Sequence, residues 1–189
     1  MAAETRRQLP DGYTWQEVPE LGASFPKPHD WFYRYDAVRD TKACFITREP
    51  IRIGSVPEGS LEAIAEETAK NGFKTGLSIN VFDRYTAKSR QSVISAARGM
   101  ITEAREPLAL LTSVQRVKNG QLVSFRGEYY SRITKVGDIQ IHPIHYYIEA
   151  TADPKNDRLY ILNFETPEDL WDQDKAVAKL MVEGRVFEN

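Results

Sequence analysis

The sequence predicts an α+β fold in which an antiparallel β-sheet is sandwiched between α-helices. Three observations lead there. Over 108–165 the apolar residues recur at every second position, in four runs divided by the turn signals Asn119-Gly120, Gly137-Asp138 and Asp153-Pro154-Lys155-Asn156, which marks an antiparallel meander. In the third and fourth runs, 141–152 and 158–165, large apolar groups stand on both faces, so these strands need cover on both sides. Segments of helical period stand before and after the meander and can supply it.

Taking the elements in order, 13–35 is aromatic and broken by Pro19, Pro26 and Pro28, which cannot donate to a ladder; it reads as short edge strands and turns, an irregular lead-in. The stretch 43–49 (ACFITRE) is rich in strand formers and closed by Pro50. A Gly/Pro/Ser loop over 54–60 ends on Ser60 as a helix cap. Leu61, Ile64, Ala65 and Thr68 then make an apolar helix face, Glu66 precedes Lys70 by one turn, and Asn71-Gly72 is the stop. In 75–84, Thr75, Leu77, Ile79 and Val81 alternate with Ser78, Asn80 and Phe82, the pattern of a half-buried strand.

Val93, Ala97, Met100, Ile101 and Ala104 repeat at helical spacing until Pro107, and this is expected to be the longest helix. The second run of the meander alternates Val123, Phe125, Tyr129 and Ile133 with Ser124, Arg126, Glu128, Tyr130 and Arg132, with a bulge expected at Gly127. At the end, Thr166 is the expected cap, Pro167 the first helical residue, and Glu168 and Asp169 complement the helix dipole. Ala176, Val177, Leu180 and Met181 form the expected core-facing stripe, and Gly184 the exit.

Composition bounds the function. The 189 residues suit one domain, 1–189, with an irregular lead-in over 1–22, and no repeat or linker divides them. A net charge of −2 excludes a general electrostatic grip on nucleic acid or acidic lipid. One cysteine, Cys44, excludes an intrachain disulfide framework and a multi-cysteine zinc site. No apolar run approaches the roughly 20 residues of a membrane helix, so no membrane insertion is expected. MAAETRRQLPDGY has no apolar stretch behind its arginines, and a cytoplasmic chain is the expectation.

The strings KPHDWFYRY, CFITREPI, FKTGLSINVF and FETPEDLWD, in this order and spacing, resemble the PsbP-like domain superfamily, whose members include the extrinsic subunit of photosystem II and a small Ran-binding nuclear import factor. The resemblance runs from about Ala23 to the C-terminus and implies an antiparallel sheet between helices. It also implies a non-catalytic protein that binds or assists the assembly of other proteins, although function diverges on one fold. The segment between Pro50 and Gly72 is longer than the resemblance leads one to expect.

The chemical candidates are few. His142 and His145, three apart on a strand, point to opposite faces and cannot share an ion. Cys44 on an apolar strand reads as a small buried side chain. The dinucleotide fingerprint, P-loop, HExxH, EF-hand loop and nucleophile elbow are all absent, so neither cofactor nor metal is expected. Glu62, Glu66 and Glu67 read as a solvated helix face, and Trp15, Trp31 and Trp171 as apolar bulk at element boundaries. Arg126, Tyr130 and Arg132 combine Arg with an aromatic on one strand face, a composition favoured at binding hot spots, and His145 and Tyr147 extend it if the hairpin register permits. The expected role is recognition of a protein partner there; the alternative is an enzyme or small-ligand binder with a pocket beside the helix near Leu61.

Overall fold

The computed structural model describes residues 7–38, 41–51, 74–102, 108–131, 135–136, 139–140 and 142–187. In chain order the elements are β1 (Tyr13–Val18), β2 (Ala23–Pro28), β3 (Phe32–Val38), β4 (Thr41–Thr47), β5 (Gly76–Asp83), α1 (Tyr85–Ser89), α2 (Val93–Thr102), β6 (Leu108–Leu110), β7 (Gln115–Asn119), β8 (Leu122–Ser131), β9 (Lys135–Val136), β10 (Ile139–Gln140), β11 (Ile144–Asp153), β12 (Arg158–Pro167), α3 (Trp171–Glu183) and β13 (Val186–Phe187). The main sheet runs β3-β4-β5-β12-β11-β8, with β6 and β7 both along the outer edge of β8. Every pairing in it is antiparallel.

Both faces of this sheet are covered, for the reason the alternation gives. On β12, Tyr160, Leu162 and Phe164 join Ile46, Leu77, Ile79, Ala178 and Met181 in a core under α3. Leu159 and Ile161, pointing the other way, meet Val93, Ala97, Ile101, Phe125 and Ala150 in a core under α2. An antiparallel sheet sandwiched between helices is thus the architecture. The hairpin at Asn119-Gly120 turns through a left-handed Gly120 (φ 58°), which a side chain would strain. Gly76 is required by space: a Cβ there would lie 2.7 Å from Thr47 Cγ2 and 2.8 Å from the Ile46 carbonyl oxygen.

Several expectations need correction. The short strands expected within 13–35 form, but β2 is not an edge strand: β1 pairs with it from Tyr13↔Pro28 to Val18↔Ala23, and β13 adds on its other side at Ala23 and Ser24. All six residues of β2 are buried. Pro26 and Pro28 are tolerated because β13 reaches only the start of β2, so among the described residues no further ladder bond is asked of that edge. No bulge forms at Gly127; the register runs unbroken from Ile144↔Ser131 through Ile148↔Gly127 to Ala152↔Val123.

The helix expected from Val93 is described for 10 residues, to Thr102, and its expected end at Pro107 lies outside the described residues; the terminal helix has 13. The terminal helix starts later than expected, because Thr166 and Pro167 complete β12 and a 3₁₀ turn over Glu168–Leu170 intervenes. That delay rotates the buried stripe to Trp171, Asp174, Ala178, Met181 and Val182; Leu180 is half-buried and Ala176 exposed. The expected loop at 54–60, the helix near Leu61 with its carboxylates, and the pocket beside it lie outside the described residues.

Candidate functional site

The polar strand face is resolved by the register of β8 against β11. His145 stands opposite Tyr130, Tyr147 opposite Glu128, Glu149 opposite Arg126 and Thr151 opposite Ser124, so four of the five expected binding residues share one face. Arg132 lies outside the described residues. The chain then folds α3 across this face. Arg126 is 8% exposed, His145 4% and Tyr147 5%, while Tyr130 is half-buried.

Arg126, His145 and Tyr147 each make polar contacts inside the molecule, although Arg126 Nε and His145 Nε2 are buried without a hydrogen-bond partner among the described residues. Arg126 pairs with Glu149 at 2.8 Å and with Glu183, on the last turn of α3, at 3.0 Å. Glu149 is fully buried and also holds Arg185, and the Thr151 hydroxyl donates to it at 2.7 Å. Tyr147 donates its hydroxyl to Glu183 at 2.6 Å. Desolvation opposes the charge on Arg126, but Glu149 and then Glu183 outweigh it and raise its pKa. Desolvation, with the neighbouring Arg126 adding to it, lowers the Arg185 pKa against the pull of Glu149. A buried charge is retained only where such partners surround it, so this seam fastens the helix to the sheet.

His145 belongs to the same seam. Its ring stacks on Trp171 with centroids 3.7 Å apart and planes 10° from parallel, and Nδ1 lies 3.2 Å from Glu168 Oε2. Nε2 is 3.6 Å from Glu128 Oε2, beyond hydrogen-bond reach. His142 is exposed ahead of β11, and His29 is exposed on a turn. Among the described residues no group of three or more His, Cys, Asp or Glu side chains is placed to hold a metal ion. Cys44 is fully buried, and burial raises its thiol pKa, with Glu20 adding to the effect. Trp31 is buried against Phe164 and Trp171 against His145.

An open concavity among the described residues lies elsewhere, between α2 and β7. Two adjoining chambers of about 570 and 510 Å³ share Ile94 and Arg116 as walls. Arg116 and Lys118 point from β7 to the α2 side of the sheet, opposite Phe125 and Val123. Arg98 rises from α2, and Lys155 comes from the β11–β12 turn. The four cations are thus delivered by three separate elements. Val123 and Phe125 are buried beneath them, and the Arg116 guanidinium sits 6.0 Å over the Phe125 ring. Sequence reasoning did not single out this groove. A signal was present: neither VISAARGMIT nor QRVKN contains a carboxylate, although acidic residues outnumber basic ones in the chain.

No protein-family model matches the sequence, and no curated protein matches it. Solved structures do. The cyanobacterial PsbP protein (CyanoP) from Synechocystis sp. PCC 6803 superposes with a TM-score of 0.54 at 13% identity, over 93% of this chain and 92% of that one. The Ran-binding protein Mog1p of Saccharomyces cerevisiae gives a TM-score of 0.50 at 11% identity, over 94% of this chain and 96% of that one. Both matches span nearly the whole of each chain, so the shared feature is the full sandwich and not one hairpin or helix. The fold of this chain is the PsbP-like fold, as the resemblance of its four sequence strings implies.

Proposed function

We propose that the protein is a non-catalytic binding domain of PsbP-like type that recognises another protein or assists its assembly. The observation that carries this reading is the open groove between α2 and β7, where cations from three elements surround an apolar floor. An elongated, solvent-open surface with Arg over an aromatic ring suits macromolecular recognition better than enclosure of a small substrate. The fold is consistent with it, since one protein that shares the fold is named for binding Ran. Of the described residues expected from sequence, Tyr130 is the member best placed to meet a partner, because it is only half-buried.

The test is affinity capture with the full chain from its native extract, identification by mass spectrometry, and calorimetry with the purified partner. Direct saturable binding that survives washing is the expected result. If the chain retains nothing beyond what an unrelated domain of equal charge retains, the reading is wrong.

A further inference from the structure

We infer that the groove between α2 and β7 receives an acidic, partly apolar segment of a protein partner. The inference rests on the protein-binding reading above and adds the chemistry of what is bound.

Charge is the first argument. Arg98, Arg116, Lys118 and Lys155 surround the two chambers, and no carboxylate lines either among the described residues. Several cations elsewhere are paired with a carboxylate: Arg34 with Asp36, Lys42 with Asp83, Arg48 with Asp174, Arg126 with Glu149. In the groove four stand together with none among the described residues. In a chain with a net charge of −2, four cations without carboxylate neighbours create a local positive field that draws in an anionic segment.

The apolar part of the groove is the second argument. Ile94 is 37% exposed on the rim shared by both chambers, and Val114 is half-buried beside it. Leu110 and Leu111, also exposed, lie on the same edge of the sheet. A ligand offering only charge would leave these groups wet, whereas a peptide bearing both carboxylates and apolar side chains covers them. Nucleic acid is disfavoured because the aromatic ring of the groove, Phe125, is 6% exposed and lies under Arg116, so no ring face is open for a base to stack on. A second copy of the chain is disfavoured too, since like charges along β7 would oppose one another.

The test is a fluorescence-anisotropy titration of the full chain with a labelled synthetic peptide alternating Glu and Leu. A Lys–Leu counterpart, a single-stranded oligonucleotide, and inorganic phosphate as competitor complete the set. The Glu–Leu peptide is expected to bind, the Lys–Leu peptide to fail, and phosphate to compete no better than chloride at equal ionic strength. The double variant Arg116→Glu, Lys118→Glu should weaken binding about tenfold or more, and Lys155→Glu, on an exposed turn of the opposite wall, should weaken it in the same direction. Unchanged circular dichroism would show that both variants fold; Lys155→Glu carries the test if the double variant does not.

Equal binding of the two peptides, tighter binding of the oligonucleotide, displacement by phosphate, or indifference to both variants each overturns the inference. A captured partner that binds the double variant as tightly as wild type also overturns it, while leaving the protein-binding reading intact. Failure of capture would sink the protein-binding reading and, with it, the assignment of the occupant to a protein partner, whatever the peptides show.

Discussion

Glu165 shows what a single position on the sheet costs. It stands on β12 opposite Tyr146, and burial pushes its carboxyl pKa up to about 7, against the opposing effect of a hydrogen bond from the Asn163 amide at 3.3 Å. Between the unfolded value near 4.5 and the folded value of about 7, the native state holds more proton than the unfolded chain, so this residue's contribution is greatest in acid and is lost as pH rises through about 7. Replacement by Gln removes the ionisation. Urea titrations of Glu165→Gln should show a gain of roughly 1–3 kcal/mol over wild type on passing from about pH 5 to about pH 8. A difference independent of pH would mean that the carboxyl ionises at its ordinary value. At this scale the sequence was informative about faces and silent about cover. Alternation placed Arg126 with Tyr130, and register placed His145 and Tyr147 beside them, but nothing local to these strands states that a helix from the far end of the chain lies over them.

Among the elements, α3 separates what periodicity can tell from what it cannot. The stripe Ala176, Val177, Leu180, Met181 satisfies helical spacing, yet a 3₁₀ turn ahead of the helix and the side chain of Asp174 decide the orientation. Asp174 is 2% exposed, accepts from the Thr166 hydroxyl at 2.7 Å and pairs with Arg48. A charged residue fixed inward in this way turns Met181 and Val182 into the core and leaves Leu180 at its margin. Met181→Ala should therefore cost roughly 2–5 kcal/mol, and Leu180→Ala clearly less. Thermal or urea unfolding of the two variants decides it, and equal losses would contradict the observed rotation. The meander, by contrast, was legible because turn residues and period-two alternation are local signals. Short strands within 13–35 were legible from the same prolines, but the pairing of β2 with β13, which comes from the other end of the chain, was not.

At the scale of the whole molecule, one sheet serves two cores. β12 gives Tyr160, Leu162 and Phe164 to the α3 side and Leu159 and Ile161 to the α2 side, while β11 gives Tyr147 to the first and Ala150 and Ala152 to the second. Neither layer can melt without exposing strands that the other still needs, so the two should unfold together as one domain. The tryptophans make this testable, because Trp31 and Trp171 both belong to the α3-side core. Ile101 belongs to the other; it is 1% exposed, and its carbonyl accepts the Tyr129 hydroxyl. Ile101→Ala removes apolar volume far from either indole and should cost roughly 2–5 kcal/mol. In a single cooperative unit the loss lowers the urea midpoint by the same amount whether tryptophan fluorescence or far-ultraviolet circular dichroism is followed. A fluorescence midpoint that stays at the wild-type value while the dichroism midpoint falls would divide the molecule into two independently stable layers.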